Sequence, residues 1–507
     1  MFIRKKQNKS GSTSIHIVSK ERGRYKVIES IGTGKTEQEI SNLTLKAHAL
    51  LHQYQGNFEL FTDDEESQYE SILSTISNSQ IHVIGPELIY GRLFDKIGYN
   101  QINEEMFRHL VLTRLYNPGS KLKTIDYLQH YLGIEKGVQD IYRFLDKLSN
   151  SLKEKIEDIS FAHTKRVLRG KLGIVFYDMT TLYFEASDED DLRKTGFSKD
   201  GKHQCPQIYL GLLVGCEGNP IGYDIFEGNI FEGHTLVPVL QKFEHRFSLK
   251  KPIVIADAGL LSKDNIKLLE DNHYRYILGG RHKNESEEIK RQILNLKLYD
   301  GQSAILEISK TKRMVISYSE KRACKDLENR NRGLNRLEKR VKSGKLTKAN
   351  INNKGYNKYL KMQGDVTIEI DYDKYRADAR WDGIKTFITN TKLKSEKVIE
   401  NYRQLWFIER AFRMNKTDLR IRPIYHRLRN RIEAHICISF VAYSILLELE
   451  RILKRNKSEI SLNQAEELTK RMYQIKILLP SSGKEKRYLL NMDENQRKLY
   501  SLIMKNS

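Results

Sequence analysis

Two short apolar runs rich in β-branched residues, Leu172-Gly-Ile-Val-Phe-Tyr177 and Pro252-Ile-Val-Ile-Ala256, each end on an aspartate, Asp178 and Asp257. Runs of this length bounded by polar residues read as buried strands. Around them, Ile208–Val214 and Ile221–Phe226 flank the turn residues Glu217-Gly218-Asn219-Pro220, which is a hairpin signature. Leu236, Val239, Leu240 and Phe243 then take helical spacing, Ser262–Glu270 reads as a second helix, and Tyr274–Leu278 as another strand. This succession predicts an α/β core with a mixed sheet.

The chain has 507 residues, enough for about three domains. It carries 87 Lys and Arg against 65 Asp and Glu, a formal charge of +22, which points to a polyanionic partner, with nucleic acid the default. No run of about 18 apolar residues marks a membrane span. The basic start, MFIRKKQNKSGSTS, has no apolar core of a signal peptide, so a cytoplasmic, nucleoid-associated location is expected. The four cysteines, Cys205, Cys216, Cys324 and Cys437, form no Cys-x-x-Cys pair and no disulfide framework.

Residues 12–30 alternate around Arg22-Gly23-Arg24 and predict a β-hairpin. Gly32-Thr-Gly-Lys-Thr36 resembles a phosphate-binding loop, but the required earlier glycine is absent. Thr36 and Glu39 instead make a capping box before a helical stripe at Ile40, Leu43 and Ala47. Residues 86–165 have helical periodicity interrupted at Asn117-Pro118-Gly119-Ser120. Residues 281–390 interrupt the α/β pattern with candidate strands Ser303–Ile308, Arg313–Tyr318, Val366–Ile370 and Ile384–Thr389. Within that segment, Lys321–Lys361 holds fourteen Lys and Arg against Asp326, Glu328 and Glu338, either a solvated helical face or a contact to the DNA backbone. Residues 395–415 and 427–455 read as two long helices separated at Pro423, the second apolar enough to be buried against the sheet.

Ligands gather at the carboxyl ends of strands in open α/β sheets, so carboxylates at the ends of neighbouring strands can share a divalent cation. A third candidate is Glu409. Leu405, Ile408 and Phe412 form an apolar stripe on its helix, and Tyr402, Glu409 and Lys416 recur every seven residues, close to two turns, on one face. Each acid also has an ordinary reading: a strand-end aspartate forms turns, and Glu409 with Arg413 makes a surface i,i+4 pair. Glu185, Asp188, Glu189, Asp190 and Asp191 read as a solvated loop, with competition for the metal as the alternative.

At these residues the chain resembles the bacterial insertion-sequence DDE transposases with a β-rich insertion before the catalytic glutamate. The carriers are Tyr177-Asp178-Met-Thr-Thr-Leu-Tyr-Phe, Glu227-Gly-Asn-Ile-Phe-Glu232-Gly-His-Thr235, Val254-Ile-Ala-Asp257-Ala-Gly-Leu, and Tyr402 through Lys416, with Arg422-Pro-Ile-Tyr-His426 and Arg431-Ile-Glu-Ala-His435 flanking. The family signature Tyr-x2-Arg-x3-Glu-x6-Lys is met by Tyr402, Glu409 and Lys416, while its arginine position holds Leu405. The resemblance implies an RNase H-like mixed-sheet core in which Asp178, Asp257 and Glu409 bind two Mg2+ ions, or Mn2+, and catalyse cleavage and strand transfer. It implies DNA contacts from Tyr402, Lys416, Arg410 and Arg413, transposon-end and target DNA as partners, and a homodimer in a synaptic complex. His203, His234 and His435 are expected to be structural.

The expected organisation is an N-terminal hairpin and helix region (1–85), a helical DNA-binding region (86–170), the first part of the core (171–280), the insertion (281–390), the C-terminal core helices (391–455) and a tail that serves dimerisation (456–507). Rival readings are a nuclease with the same core that cuts without joining, a non-catalytic DNA-binding protein descended from a transposase, and a basic scaffold protein with no site.

Overall fold

The computed structural model describes the chain except residues 9–10, 22, 55–75, 199–200, 345, 353–354, 364–366, 479–483 and 507. It divides into two compact units, one made of Met1–Ile89, Ile125–Lys136 and Asn463–Leu502, the other of Tyr90–Thr124, Gly137–Leu462 and Ile503–Ser507.

In the first unit the alternation near the N-terminus forms strands Thr13–Glu21 and Arg24–Gly34. Arg22 of the expected turn lies outside the described residues, and Gly23 supplies the left-handed backbone there at φ 82°. A third strand, Phe2–Gln7, pairs antiparallel with Thr13–Glu21 and was not legible in the basic residues that compose it. The helix Glu37–Tyr54 begins at the capping box: the Glu39 N–H donates to Thr36 Oγ1 and the Thr36 N–H to Glu39 Oε2, both at 3.2 Å. Ile15, Ile17 and Ala47 form the small core between sheet and helix. The strand Tyr473–Leu478 pairs with Glu485–Leu489 on one side and Ile81–Val83 on the other, so the tail contributes strands to the chain's own fold.

The second unit is built on an eight-stranded sheet, numbered in chain order: β1 Ile174–Tyr183, β2 Gln207–Val214, β3 Pro220–Glu227, β4 Ile253–Ala256, β5 Arg275–Gly279, β6 Ser303–Glu307, β7 Arg313–Tyr318 and β8 Ile384–Thr389. The spatial order is β6-β7-β8-β5-β4-β1-β2-β3. The β1–β4 and β4–β5 pairs are parallel and the others antiparallel, giving the mixed sheet the sequence predicts. The strands of segment 281–390 that flank its basic helix therefore extend the same sheet. A separate short hairpin, Leu360–Gln363 with Thr367–Ile370, packs around Leu337 and Tyr359; Val366 of the expected strand lies outside the described residues.

Six helices matter for the site: α1 Leu236–Phe247, α2 Lys263–Asp271, α3 Glu320–Lys342, α4 Ser395–Arg403, α5 Trp406–Thr417 and α6 Arg429–Arg455. One sheet face buries Val175, Tyr177, Val254, Ala256, Tyr276 and Leu278 with Leu236, Leu240 and Leu269 from α1 and α2. Side chains alternate along strands, so Phe176, Ile255 and Phe387 turn to the opposite face, where α4 packs across β4–β7 and α5 against β1.

Three expectations need correction. β1 does not stop at Asp178 but runs five residues further to Tyr183, because β2 continues to pair with it after β4 has ended. The single helix expected over 395–415 is two: N–H donors of Gln404 and Leu405 reach back three residues, to Asn401 and Tyr402, and this tight turn separates α4 from α5. Finally, α6 has 19 buried residues among its 27, but it packs chiefly on helices Glu105–Tyr116 and Val138–Lys147 and meets the sheet chiefly at β3.

Candidate active site

The sheet register brings the first two acids together. In the parallel β1–β4 pair the last partners are Tyr177 and Ala256, so the next residues on both strands are Asp178 and Asp257. Parallel neighbours lie about 4.8 Å apart. Both side chains leave the face opposite Tyr177 and Ala256, toward α4 and α5. Asp178 is half-buried, since β1 continues past it, whereas Asp257 is exposed at the end of β4. The Met179 N–H donates to Asp178 Oδ1 at 2.7 Å, which fixes that carboxylate against its own strand.

The third side is built by the α4–α5 turn. Tyr402, at the end of α4, is only 5% exposed, and its hydroxyl donates to Asp257 Oδ1 at 3.1 Å. Its pKa is pushed far above the usual phenol value by burial, by the negative charge of Asp257 and the hydrogen bond to it, and then by Glu409 and Asp178. One buried phenol therefore lies in the field of all three carboxylates and remains a protonated donor. Glu409, in the first turn of α5, is exposed on the same side. Leu405, Ile408 and Phe412 are all buried, so the residue in the signature's arginine position packs inward.

The sheet makes room for this phenol. A Cβ at Gly279, the last residue of β5, would stand 2.5 Å from the Tyr402 hydroxyl and 2.9 Å from the Ala258 nitrogen. From β8, the Phe387 ring lies 4.8 Å from that of Tyr402, and the Lys385 ammonium lies 4.6 Å above the Tyr402 ring and 5.6 Å above Phe387. Burial lowers the Lys385 pKa and Arg322 and Arg403 lower it further, while Asp257 and Glu409 pull it back up. Neither Gly279 nor Lys385 is legible as a site residue from spacing. The only signal for Lys385 was that Lys385, Phe387 and Thr389 share a strand face with no simple polar or apolar character.

The other expected residues divide. Arg413 is exposed on α5, and Lys416 is half-buried in its last turn. Arg410 is turned away from the acids: it pairs with Glu450 of α6 at 2.7 Å. The reason is the i,i+1 step from Glu409, about 100° around the helix. His435 is structural, with Nε2 2.9 Å from the Ile421 carbonyl and Nδ1 3.2 Å from the Arg114 guanidinium. In the 188–191 loop, Asp190 accepts from the N–H groups of Leu192 and Arg193 and from the Arg193 side chain, and Glu189 accepts from the Thr195 N–H, so these acids brace their own loop. The 227–235 motif also has a structural reading. Gly228 passes where a Cβ would lie 2.0 Å from the Gln207 carbonyl oxygen, and buried Thr235 accepts from the Tyr177 hydroxyl at 2.9 Å beneath β1.

Among the described residues, no three Asp, Glu, His or Cys side chains are drawn tightly enough to hold a metal ion. Asp257 touches Tyr402 through the hydrogen bond, while Asp178 and Glu409 act on the same phenol electrostatically. No described helix is long and apolar enough to cross a membrane.

No curated protein matches the chain. Among solved structures, the piggyBac transposase synaptic complex with hairpin DNA is similar at 10% identity and TM-score 0.38, covering 76% of each chain. The Mos1 transposase paired-end complex with left transposon end is similar at 12% identity and TM-score 0.16, covering 34% of this chain and 58% of that one. The family described as "Transposase DDE domain" matches residues 169–445, more than half of the 507, and the match spans both aspartates, Tyr402 and Glu409. The chain belongs to the DDE-domain transposase family.

Proposed function

We propose that the chain cleaves DNA at transposon ends and joins the freed 3′-hydroxyl to target DNA, with Asp178, Asp257 and Glu409 as the catalytic acids of an RNase H-like core. The observation that carries this reading is the placement of Asp178 and Asp257 at adjacent positions of two paired parallel strands, with the buried Tyr402 hydroxyl bonded to Asp257 and Glu409 seven residues along from Tyr402, in the first turn of α5. The order β3-β2-β1-β4-β5, with the β1–β3 meander antiparallel and β1, β4 and β5 parallel, supports the RNase H-like reading of the core.

The donor set fits Mg2+ or Mn2+: these ions take carboxylate oxygens and keep several waters, so an open set suffices, and two such ions are the reading for this site. When bound, they supply positive charge at the scissile phosphate and lower the pKa of the attacking hydroxyl or water. Asp178 and Asp257 are carried by paired strands and hold a fixed spacing, while Glu409 approaches from α5. Tyr402 keeps Asp257 oriented through its hydrogen bond, and burial beside the acids favours its protonated, donating form. Arg413 and Lys416 offer charge to the DNA backbone beyond the acids. The exposed cations of α3, among them Lys321, Lys325, Arg332, Arg336 and Lys339, form a second surface for DNA phosphates. A homodimer that pairs two transposon ends is the assembly in which these surfaces work.

The test uses Asp178→Asn, Asp257→Asn and Glu409→Gln in the full chain, with end-labelled duplex carrying the DNA that flanks the gene. Each variant should bind the duplex as the parent does and lose Mg2+-dependent cleavage and joining. Cleavage by any one variant at the parental rate removes that residue from the site. Cleavage by the parent without joining identifies a nuclease instead.

A further inference from the structure

The half-buried lysine on β8 has an unusual environment. Lys385 stands on a central strand of the sheet, not on a flexible loop, and its ammonium rests on two aromatic faces, 4.6 Å from the Tyr402 ring centre and 5.6 Å from that of Phe387. Asp257 and Glu409 both act on it electrostatically, yet neither forms an ion pair with it among the described residues. Other half-buried lysines of the same unit are satisfied by a carboxylate: Lys153 has Glu433 at 2.9 Å, and Lys358 has Asp378 at 2.6 Å. Cation–π contact compensates a desolvated ammonium only in part, less than a charge-assisted hydrogen bond to a carboxylate or phosphate does. A charge held rigidly in this state, beside acids that would themselves be occupied by divalent cations, lacks an anion.

Two positions on the neighbouring helices that could carry a cation toward the acids do not. Leu405 fills the core at 6% exposure, so the residue in the signature's arginine position presents no positive charge. Arg410, one residue after Glu409, is engaged by Glu450. Arg322 and Arg403 surround Lys385 and are exposed, and both raise the positive potential at its position.

We propose that Lys385 is a catalytic residue: its ammonium binds a non-bridging oxygen of the DNA phosphate that is being cleaved, supplying from β8 the positive charge that Leu405 and Arg410 do not. No covalent step is assigned to it; the contact is electrostatic and strengthens as charge develops on that phosphate. The inference rests on the reading of Asp178, Asp257 and Glu409 as the catalytic acids.

The experiment measures single-turnover cleavage of the flanking-DNA duplex with Mn2+ by the full chain and by Lys385→Met and Lys385→Arg, with duplex binding measured separately. Loss of one charge-assisted contact made at the transition state predicts that Lys385→Met cleaves about 10- to 100-fold more slowly. Duplex affinity should change less than about threefold, because one phosphate contact among many is lost. Lys385→Arg should recover most of the rate. Because burial, Arg322 and Arg403 lower the Lys385 pKa against Asp257 and Glu409, the parental rate should fall on the alkaline side below the ordinary lysine range, and Lys385→Met should lack that limb. A parental rate in Lys385→Met overturns the proposal, as does an equal loss in both variants accompanied by lost duplex binding, which marks a packing role. If the parent itself cleaves nothing while binding the duplex, the reading of the acids fails, and this inference falls with it.

Discussion

Tyr402→Phe isolates one atom of the proposed site. The substitution keeps the ring against Phe387 and under Lys385 and removes only the hydroxyl that donates to Asp257 Oδ1 at 3.1 Å. A hydrogen bond to a charged group contributes about 1.5–3 kcal/mol. Asp257 is exposed, so water replaces the lost donor and the net cost falls below that range, to about 1–1.5 kcal/mol. No new clash arises, since the hydroxyl sits over Gly279, which has no side chain. In a cycle with Asp257→Ala, urea unfolding should show a coupling of about 1 kcal/mol between the two side chains. If the same hydrogen bond orients the carboxylate during cleavage, Tyr402→Phe should slow single-turnover cleavage about 5- to 10-fold. Zero coupling in unfolding together with an unchanged rate would refute the claim that this phenol positions Asp257.

Gly279→Ala should cost roughly 1–3 kcal/mol from overpacking against the Tyr402 hydroxyl and reduce cleavage, and Tyr402→Phe should partly relieve the loss in unfolding and activity assays. Leu405→Arg, which restores the signature residue in name, should destabilise the fold by roughly 2–4 kcal/mol and fail to raise activity, because the position is buried. Replacing Arg332, Arg336, Lys339 and Lys342 of α3 by serine should reduce the log–log salt slope of DNA binding by about 0.9 for each cation that touches a phosphate, and an unchanged slope removes α3 from the interface. Glu448, 3% exposed, is penalised by burial but is held down to about 2 by His163, Arg451 and Lys96. A depressed carboxylate stabilises above its unfolded value near 4.5 and loses that contribution as pH falls from there toward 2, about 3 kcal/mol in all; acid titration of unfolding should show it, and Glu448→Gln should flatten that range.

The strands that carry Asp178 and Asp257, the hairpin around Gly218, and the capped helix at Thr36 were legible because each is written in local periodicity and turn chemistry. Glu409 was reachable through its seven-residue spacing from Tyr402, although the tight turn at Gln404 and Leu405 makes the geometry one of two helices rather than one. What escaped was whatever depends on a partner strand. Asp178 reads as a strand end because an acid interrupts an apolar run, yet β1 continues there because Leu212 of β2, 34 positions away, pairs with it.

By itself, the sequence determined the alternation of strands and helices, the basic charge and the chemical types of the acids, since all of these follow from residue identity and short-range order. Only the tertiary structure decided that Asp178 and Asp257 are neighbours, that Gly279 leaves room for the Tyr402 hydroxyl, that Arg410 faces α6, and that Lys385 overlooks the site from a strand within the supposed insertion. These are contacts between segments more than fifteen residues apart, and they are set by sheet register and helix docking, which minimise the free energy of the whole core and leave no local mark on the residues that meet.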